Sequence, residues 1–132
     1  MSEENVEIVR KATDAFNRGD WDRFAATIPD DGRMTPLENW PERGPFRGRA
    51  EVLRQYQRLV EDFSSQITLL EAREEGEWVV ASYLWAIEGT GSGARVEVAF
   101  TGAHRLTENR QVAESHFRFD HADALEAAGL SE

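Results

Sequence analysis

His104 is the first residue of this chain that could do chemistry. It stands in the run 95–107, where strict alternation assigns Val96, Val98, Phe100, Gly102, His104 and Leu106 to one face. On that face it is the only titratable side chain, and a near-neutral pKa suits histidine to giving and taking protons. The preceding run, 78–88, turns Val79, Ala81, Tyr83, Trp85 and Ile87 the same way. Tyr83 offers a hydroxyl that can orient a ligand's carbonyl or hydroxyl, and Trp85 offers a flat apolar wall. The plain alternatives are a core histidine satisfied by backbone or carboxylate, and simple aromatic packing.

A denser set of polar groups stands at Glu114, His116 and Arg118. These alternate against Ala113, Ser115, Phe117 and Phe119. The apolar set must face the core, so the E-x-H-x-R set is expected on the outer face of a sheet. A metal site at Glu114 and His116 lacks an evident third ligand. Phe117 and Phe119 then join Phe100 and Trp85 as candidate pocket walls. Residues 30–48 add Met34, Glu38 and Trp40. This stretch holds Pro36, Pro41 and Pro45, and it is long enough to serve as a binding loop or lid. Glu38 could act there as an acid or base at a pocket mouth, although a loop carboxylate is more commonly just solvated.

Composition excludes several function classes. The 132 residues carry a formal net charge of −10, and no cysteine is present. Thiol chemistry, disulfides and thiolate metal sites are therefore absent. The acidic balance argues against nucleic acid, which needs clustered Lys and Arg, and against anionic membrane surfaces. No apolar run approaches the roughly 20 residues that span a bilayer. The N-terminus is acidic where a signal peptide would be basic and then apolar, so a cytoplasmic location is expected.

The elements that position these residues follow from periodicity. A helical stripe of Val6, Val9, Ala12, Ala15 and Phe16 precedes Asn17-Arg18-Gly19-Asp20, which ends one helix and caps a second over 21–28. A short strand is expected near 32–35, and a helix over 49–63 carries Val52, Leu53, Tyr56, Leu59, Val60 and Phe63 on its buried side. The period then changes to two. Strands are expected at 66–72, 78–88, 95–107 and 111–120, with a flexible connection at 89–93 and a helical tail over 121–128. Helices followed by an antiparallel meander define an α+β fold in one domain, 1–132.

The stretches E-N-V-E-I-V-R-K-A-T-D-A-F-N-R-G-D-W-D, E-R-G-P-F-R-G-R-A-E-V and F-D-H-A-D-A-L-E-A-A-G-L, with this strand order, resemble the nuclear transport factor 2-like superfamily. The closer resemblance is to its SnoaL-like branch, named for a polyketide cyclase. The resemblance implies a cone-shaped α+β barrel, a curved and mostly antiparallel sheet wrapped around N-terminal helices with an internal pocket. Steroid isomerases of the superfamily use a tyrosine, a carboxylate base and a protonated acid; here those positions fall on Ala12, Pro36 and Gly102. Its epoxide hydrolases use an R-x-D, for which Arg95-Val96-Glu97 is the nearest substitute. The resemblance also implies a homodimer through the outer sheet face, pairing Glu114, His116 and Arg118 with their copies or with Glu97.

The expectation is thus a protein that binds a small hydrophobic molecule in an apolar cavity, with no cofactor or metal. Its chemistry would be acid–base, of isomerase, epoxide hydrolase, hydratase or cyclase type. His104 would move the proton and Tyr83 would orient the substrate. The competing expectation is a non-catalytic ligand-binding or dimeric assembly module.

Overall fold

The computed structural model describes residues 2–62, 64–89 and 93–130. Two helices come first, α1 (Ser2–Arg18) and α2 (Trp21–Ala25). Short strands β1 (Arg33–Thr35) and β2 (Phe46–Arg47) precede α3 (Arg49–Asp62). The meander follows as β3 (Ser64–Glu75), β4 (Trp78–Glu88), β5 (Arg95–Leu106) and β6 (Val112–Arg118), and α4 (His121–Ala127) ends it. Phe63 and most of the 89–93 connection lie outside the described residues.

The six strands form one curved sheet in the order β2-β1-β6-β5-β4-β3. All neighbours are antiparallel except β1 and β6. The α+β class is as expected, but the sheet is open: its edge strands β2 and β3 do not pair with each other. β2 is an addition to the expected elements. Two residues are too few to carry an alternation, and the pairing consists of Phe46 opposite Met34 and Arg47 opposite Arg33.

The helix ends follow the sequence signals. Gly19 closes α1 at φ 70°, a left-handed conformation that glycine adopts without strain. The Asp20 carboxylate accepts from the Arg23 N–H at the start of α2. Asn17 does more than end its helix. Its amide donates to Ile67 O at 2.8 Å, and its carbonyl accepts from Ile67 N at 2.9 Å. One side chain thereby pins α1 to edge strand β3.

The inner face of the sheet meets α1 and α3. One core cluster gathers Val9, Val79, Ala81, Tyr83, Phe100 and Leu106, and a second gathers Phe16, Phe24, Ile28, Met34, Phe46 and Val52. Each large side chain buried there is worth on the order of 1.5–3 kcal/mol. α4 packs against β5 and β6 with Ala124 and Leu125 buried. On the outer face Val80, Thr101 and Ala103 are also buried. The sheet is therefore covered on both sides at this end. Among the described residues no helix is long and apolar enough to cross a membrane.

Candidate functional site

Alternation and register bring three polar side chains together on the inner face. His104 of β5 lies opposite Ser115 of β6 and Val79 of β4, while Tyr83 lies opposite Phe100. Tyr83 reaches His104 across the Ala81–Gly102 pair, where neither residue adds bulk. Its hydroxyl is 2.8 Å from His104 Nε2, and His104 Nδ1 is 2.7 Å from Ser115 Oγ. Tyr56 of α3 interacts through its hydroxyl with Ser115, and Thr13 of α1 does so with Tyr83. A hydrogen-bonded chain therefore runs from Ser115 through His104 to Tyr83, with the Tyr56 hydroxyl beside its Ser115 end.

Burial sets the protonation of this chain. Desolvation, and then the charge of His116, lower the His104 pKa from 6.5 to about 4. Burial raises the Tyr83 and Tyr56 phenols well above their ordinary value. At neutral pH every member is uncharged. Either direction of donation satisfies the chain: Tyr83 donates to Nε2 while Nδ1–H donates to Ser115, or the reverse in the other tautomer.

The chain lines a cavity of about 70 Å³, whose walls include Thr13, Tyr56, Tyr83, His104, Ser115 and Phe117. A second chamber of about 50 Å³ lies between the 36–40 loop and the sheet, walled by Met34, Leu37, Trp40, Leu59 and Trp85 among others. Tyr56, Ile67, Phe100 and Phe117 line both. No Asp or Glu lines either one. Among the described residues no group of three His, Asp or Glu could hold a metal ion.

Most of the expected walls are in place. Phe100 and Phe117 line both chambers, and Met34, Trp40 and Trp85 line the second. Two are not. Glu38 is exposed and lines neither chamber, because the loop turns Leu37 inward in its place. Phe119 is 39% exposed, because β6 ends at Arg118 and the alternation stops with it. Val96 is likewise 57% exposed, at the end of β5 remote from His104. Gly102 does leave room, but His104 and Phe117 fill it: an added Cβ would meet each at 2.9 Å.

The loop is held by a residue that received no role from sequence. Gln55 of α3 is fully buried. Its carbonyl accepts from Trp40 Nε1 at 2.8 Å, and its amide donates to Glu51 at 3.0 Å and Glu42 at 3.3 Å. Arg58 donates to Glu42 at 2.7 Å. The signal was a glutamine inside an apolar stripe, between Val52 and Tyr56. Tyr56 and Ser115 were assigned to buried faces, but only the β5–β6 register sets Ser115 against His104, and only the packing of α3 on the sheet brings Tyr56 to Ser115.

Glu114, His116 and Arg118 lie on the outer face, as the alternation requires. Glu114 is a hub: its carboxylate accepts from Arg33 at 3.0 Å and Arg105 at 3.0 Å, and meets His116 Nε2 at 2.7 Å. Burial alone would raise its pKa, but the His116 and Arg105 bonds and the Arg33 charge hold it below the usual value. His116 packs on Trp78 with ring centroids 5.8 Å apart. Side-chain exposure of 17% for Glu114 and 16% for His116 leaves little of this pair for a partner. Glu97 is on the same face but exposed, ion-paired with Arg95 at 3.3 Å. That pair is therefore outside the cavity and cannot stand in for an R-x-D within it.

The sequence matches the family described as the SnoaL-like domain over residues 9–115. No match was found among curated proteins. A crystal structure of a nuclear transport factor 2-like protein of unknown function from Burkholderia pseudomallei has a TM-score of 0.75 at 22% identity, covering 93% of this chain and 95% of that one. An LEH-like epoxide hydrolase of Mycobacterium tuberculosis has a TM-score of 0.75 at 16% identity, covering 95% and 89%. A second M. tuberculosis protein, in complex with estradiol-17beta-hemisuccinate, has a TM-score of 0.74 at 13% identity, covering 89% and 93%. Likeness at these identities is a likeness of fold.

Proposed function

The chain belongs to the SnoaL-like domain family, and from that premise we propose that its inner cavity binds a small apolar molecule through one oxygen function. The observation that carries this is the uncharged Tyr83–His104–Ser115 chain at the wall of a mostly apolar chamber, whose other polar lining residues are Thr13, Thr27, Tyr56 and Arg33. The Tyr83 hydroxyl meets Thr13, whose own proton goes to Val9 O at 2.9 Å, so a ligand oxygen would take the Tyr83 proton in place of Thr13 or of His104 Nε2. A binding site of this kind, apolar with a few convergent polar groups, is the common form of small-molecule pockets.

The chemistry this supports is polarisation of a carbonyl. A neutral donor fixed in a dry site stabilises charge that develops on an enolate oxygen. Release of a proton from the chain is disfavoured, because burial raises both phenols. The favoured reaction class is therefore isomerisation or cyclisation through an enolate, in which Tyr83 turns its proton to the ligand oxygen and the Nε2 so freed, in the tautomer whose Nδ1–H donates to Ser115, takes the α-proton and returns it to the product carbon. Epoxide hydrolysis fits less well, since no carboxylate lines the cavity to activate water. That same absence favours the second reading, a non-catalytic carrier of the same ligand.

Beta-tetralone, an apolar bicyclic ketone, separates the two. Binding is read by tryptophan fluorescence, and exchange of its α-hydrogens in heavy water by NMR. An enzyme accelerates the exchange, and His104→Gln slows it while still binding. Binding without acceleration leaves the carrier, and no binding removes the cavity reading. We further propose that two copies would pair through the outer face at Glu97 and Arg118 rather than Glu114 and His116, a matter for sedimentation velocity with Glu97→Arg.

A further inference from the structure

Within its own three members the Tyr83–His104–Ser115 chain runs equally well in either direction, so its ends decide between them. At one end Thr13 of α1 meets the Tyr83 hydroxyl. The Thr13 hydroxyl donates to Val9 O at 2.9 Å, one turn back along the helix, a bond that helical threonine makes readily. Its only proton is thus committed, and toward Tyr83 it accepts. At the other end the Tyr56 hydroxyl stands beside Ser115. All five side chains line the same cavity, where a hydroxyl without an acceptor is costly.

Counting protons separates the two directions. In the first, Tyr56 donates to Ser115, Ser115 to Nδ1, Nε2–H to Tyr83, and Tyr83 to Thr13. Every proton then has an acceptor, and the series ends on Val9 O. In the second, Tyr83 donates to Nε2 and Nδ1–H donates to Ser115. Thr13 must then leave Val9 O to donate to Tyr83, and Ser115 turns its proton to Tyr56. The Tyr56 proton is left over, because Ser115 is the one polar partner of that hydroxyl among the described residues.

We propose that Thr13 is a positioning residue that sets the tautomer of His104, holding it as the Nε2–H form, which cannot take a proton at Nε2, until a ligand oxygen engages Tyr83. This rests on the reading of the cavity as a site for a ligand oxygen at Tyr83, and it adds how the base is kept idle without one. Once the ligand oxygen takes the Tyr83 proton, Thr13 has nothing to accept and is free to donate to Tyr83. The bias toward Nε2–H ends with that turn. The two forms carry the same charge, and the proton lost at Nε2 and regained at Nδ1 is exchanged with solvent water.

Nitrogen-15 NMR of the histidine rings reads the tautomer directly, with the His104 signals identified by their loss in His104→Gln. The unaltered, empty chain should show a protonated Nε2 and a bare Nδ1; the opposite pattern overturns the proposal, whatever the variants do. Thr13→Val, checked for fold by circular dichroism, should shift the tautomer ratio about tenfold toward Nδ1–H, the worth of one matched hydrogen bond. Thr13→Ser, which keeps the hydroxyl, should restore the original pattern. Unchanged signals in a folded Thr13→Val chain would show that Thr13 sets nothing. Saturating beta-tetralone should move the unaltered chain the same way as Thr13→Val, and binding without that movement overturns the release. If the ketone does not bind at all, the cavity reading and the release fall together, while the spectra of the empty chains still decide the role of Thr13.

Discussion

Tyr83 and His104 meet at 2.8 Å although they are not cross-strand partners; Tyr83 spans four residues of register to get there. The contact exists because Ala81 and Gly102, paired between them, leave the inner surface low. His104 and Phe117 occupy that hollow. Gly102→Ala places a methyl 2.9 Å from His104 Nε2 and from Phe117 Cε1. Overpacking of this kind costs about 1–3 kcal/mol. Urea unfolding measures it, and a loss under about 0.5 kcal/mol would mean that the two rings yield freely and that Gly102 does not shape the site.

Tyr83→Phe keeps the ring stacked on Phe100, at 5.0 Å between centroids, and removes only the hydroxyl. His104 Nε2 then loses its partner in a buried setting, at a cost of about 1–3 kcal/mol. In a His104→Phe background the same substitution has nothing left to orphan and costs far less. The double-mutant cycle should return a coupling of about 1 kcal/mol or more. Additive effects would show that the 2.8 Å contact carries no energy of its own.

How far the sequence led is best seen on β5 and β6. Alternation alone turned His104, Tyr83, Phe100 and Phe117 inward and Glu114, His116 and Arg118 outward, and each lies there. A period of two is a strong constraint wherever one face is apolar. It fails where strands end, which is why Phe119 and Val96 are exposed. It is silent on loops, which is why Glu38 was misplaced. It also cannot supply register. Ser115 is a small polar residue on a buried face until the pairing sets it opposite His104. The short strand β2 and the covering of the outer face by α4 are tertiary outcomes, and no local pattern announces them.

The 36–45 loop is tied to α3 by Gln55, which holds Trp40 and Glu42, and by Arg58 and Arg54, which pair with Glu42. Gln55→Leu preserves the size and helix preference of that side chain but orphans Trp40 Nε1 and takes one donor from Glu42 and one from Glu51, which keep their arginine partners. A stability loss of about 2 kcal/mol is expected. Amide exchange should quicken in the loop, at the Trp40 N–H that bonds Leu37 O, and not in β4 or β5. Uniform quickening across the sheet would mean that Gln55 is a core residue rather than a loop tether.

Acid stability reports on His104 directly. Its folded pKa of about 4 lies below the ordinary 6.5 that it regains on unfolding. Between these values the unfolded chain binds a proton that the folded chain refuses, so stability falls as pH drops through 6.5 and stops falling on this account near 4. The full difference is about 3 kcal/mol, as an order of magnitude for a wholly buried ring. Glu114 acts in the same direction but lower: its depressed folded pKa gives stability that is lost as the carboxylate protonates. His104→Gln separates the two. The variant should be flatter than the unaltered chain between pH 6.5 and 4, and should then follow it at lower pH, where Glu114 and the other carboxylates titrate. Parallel curves across the upper window would mean that His104 takes up its proton in the folded state, with Tyr83 and Ser115 both turned to accept from it.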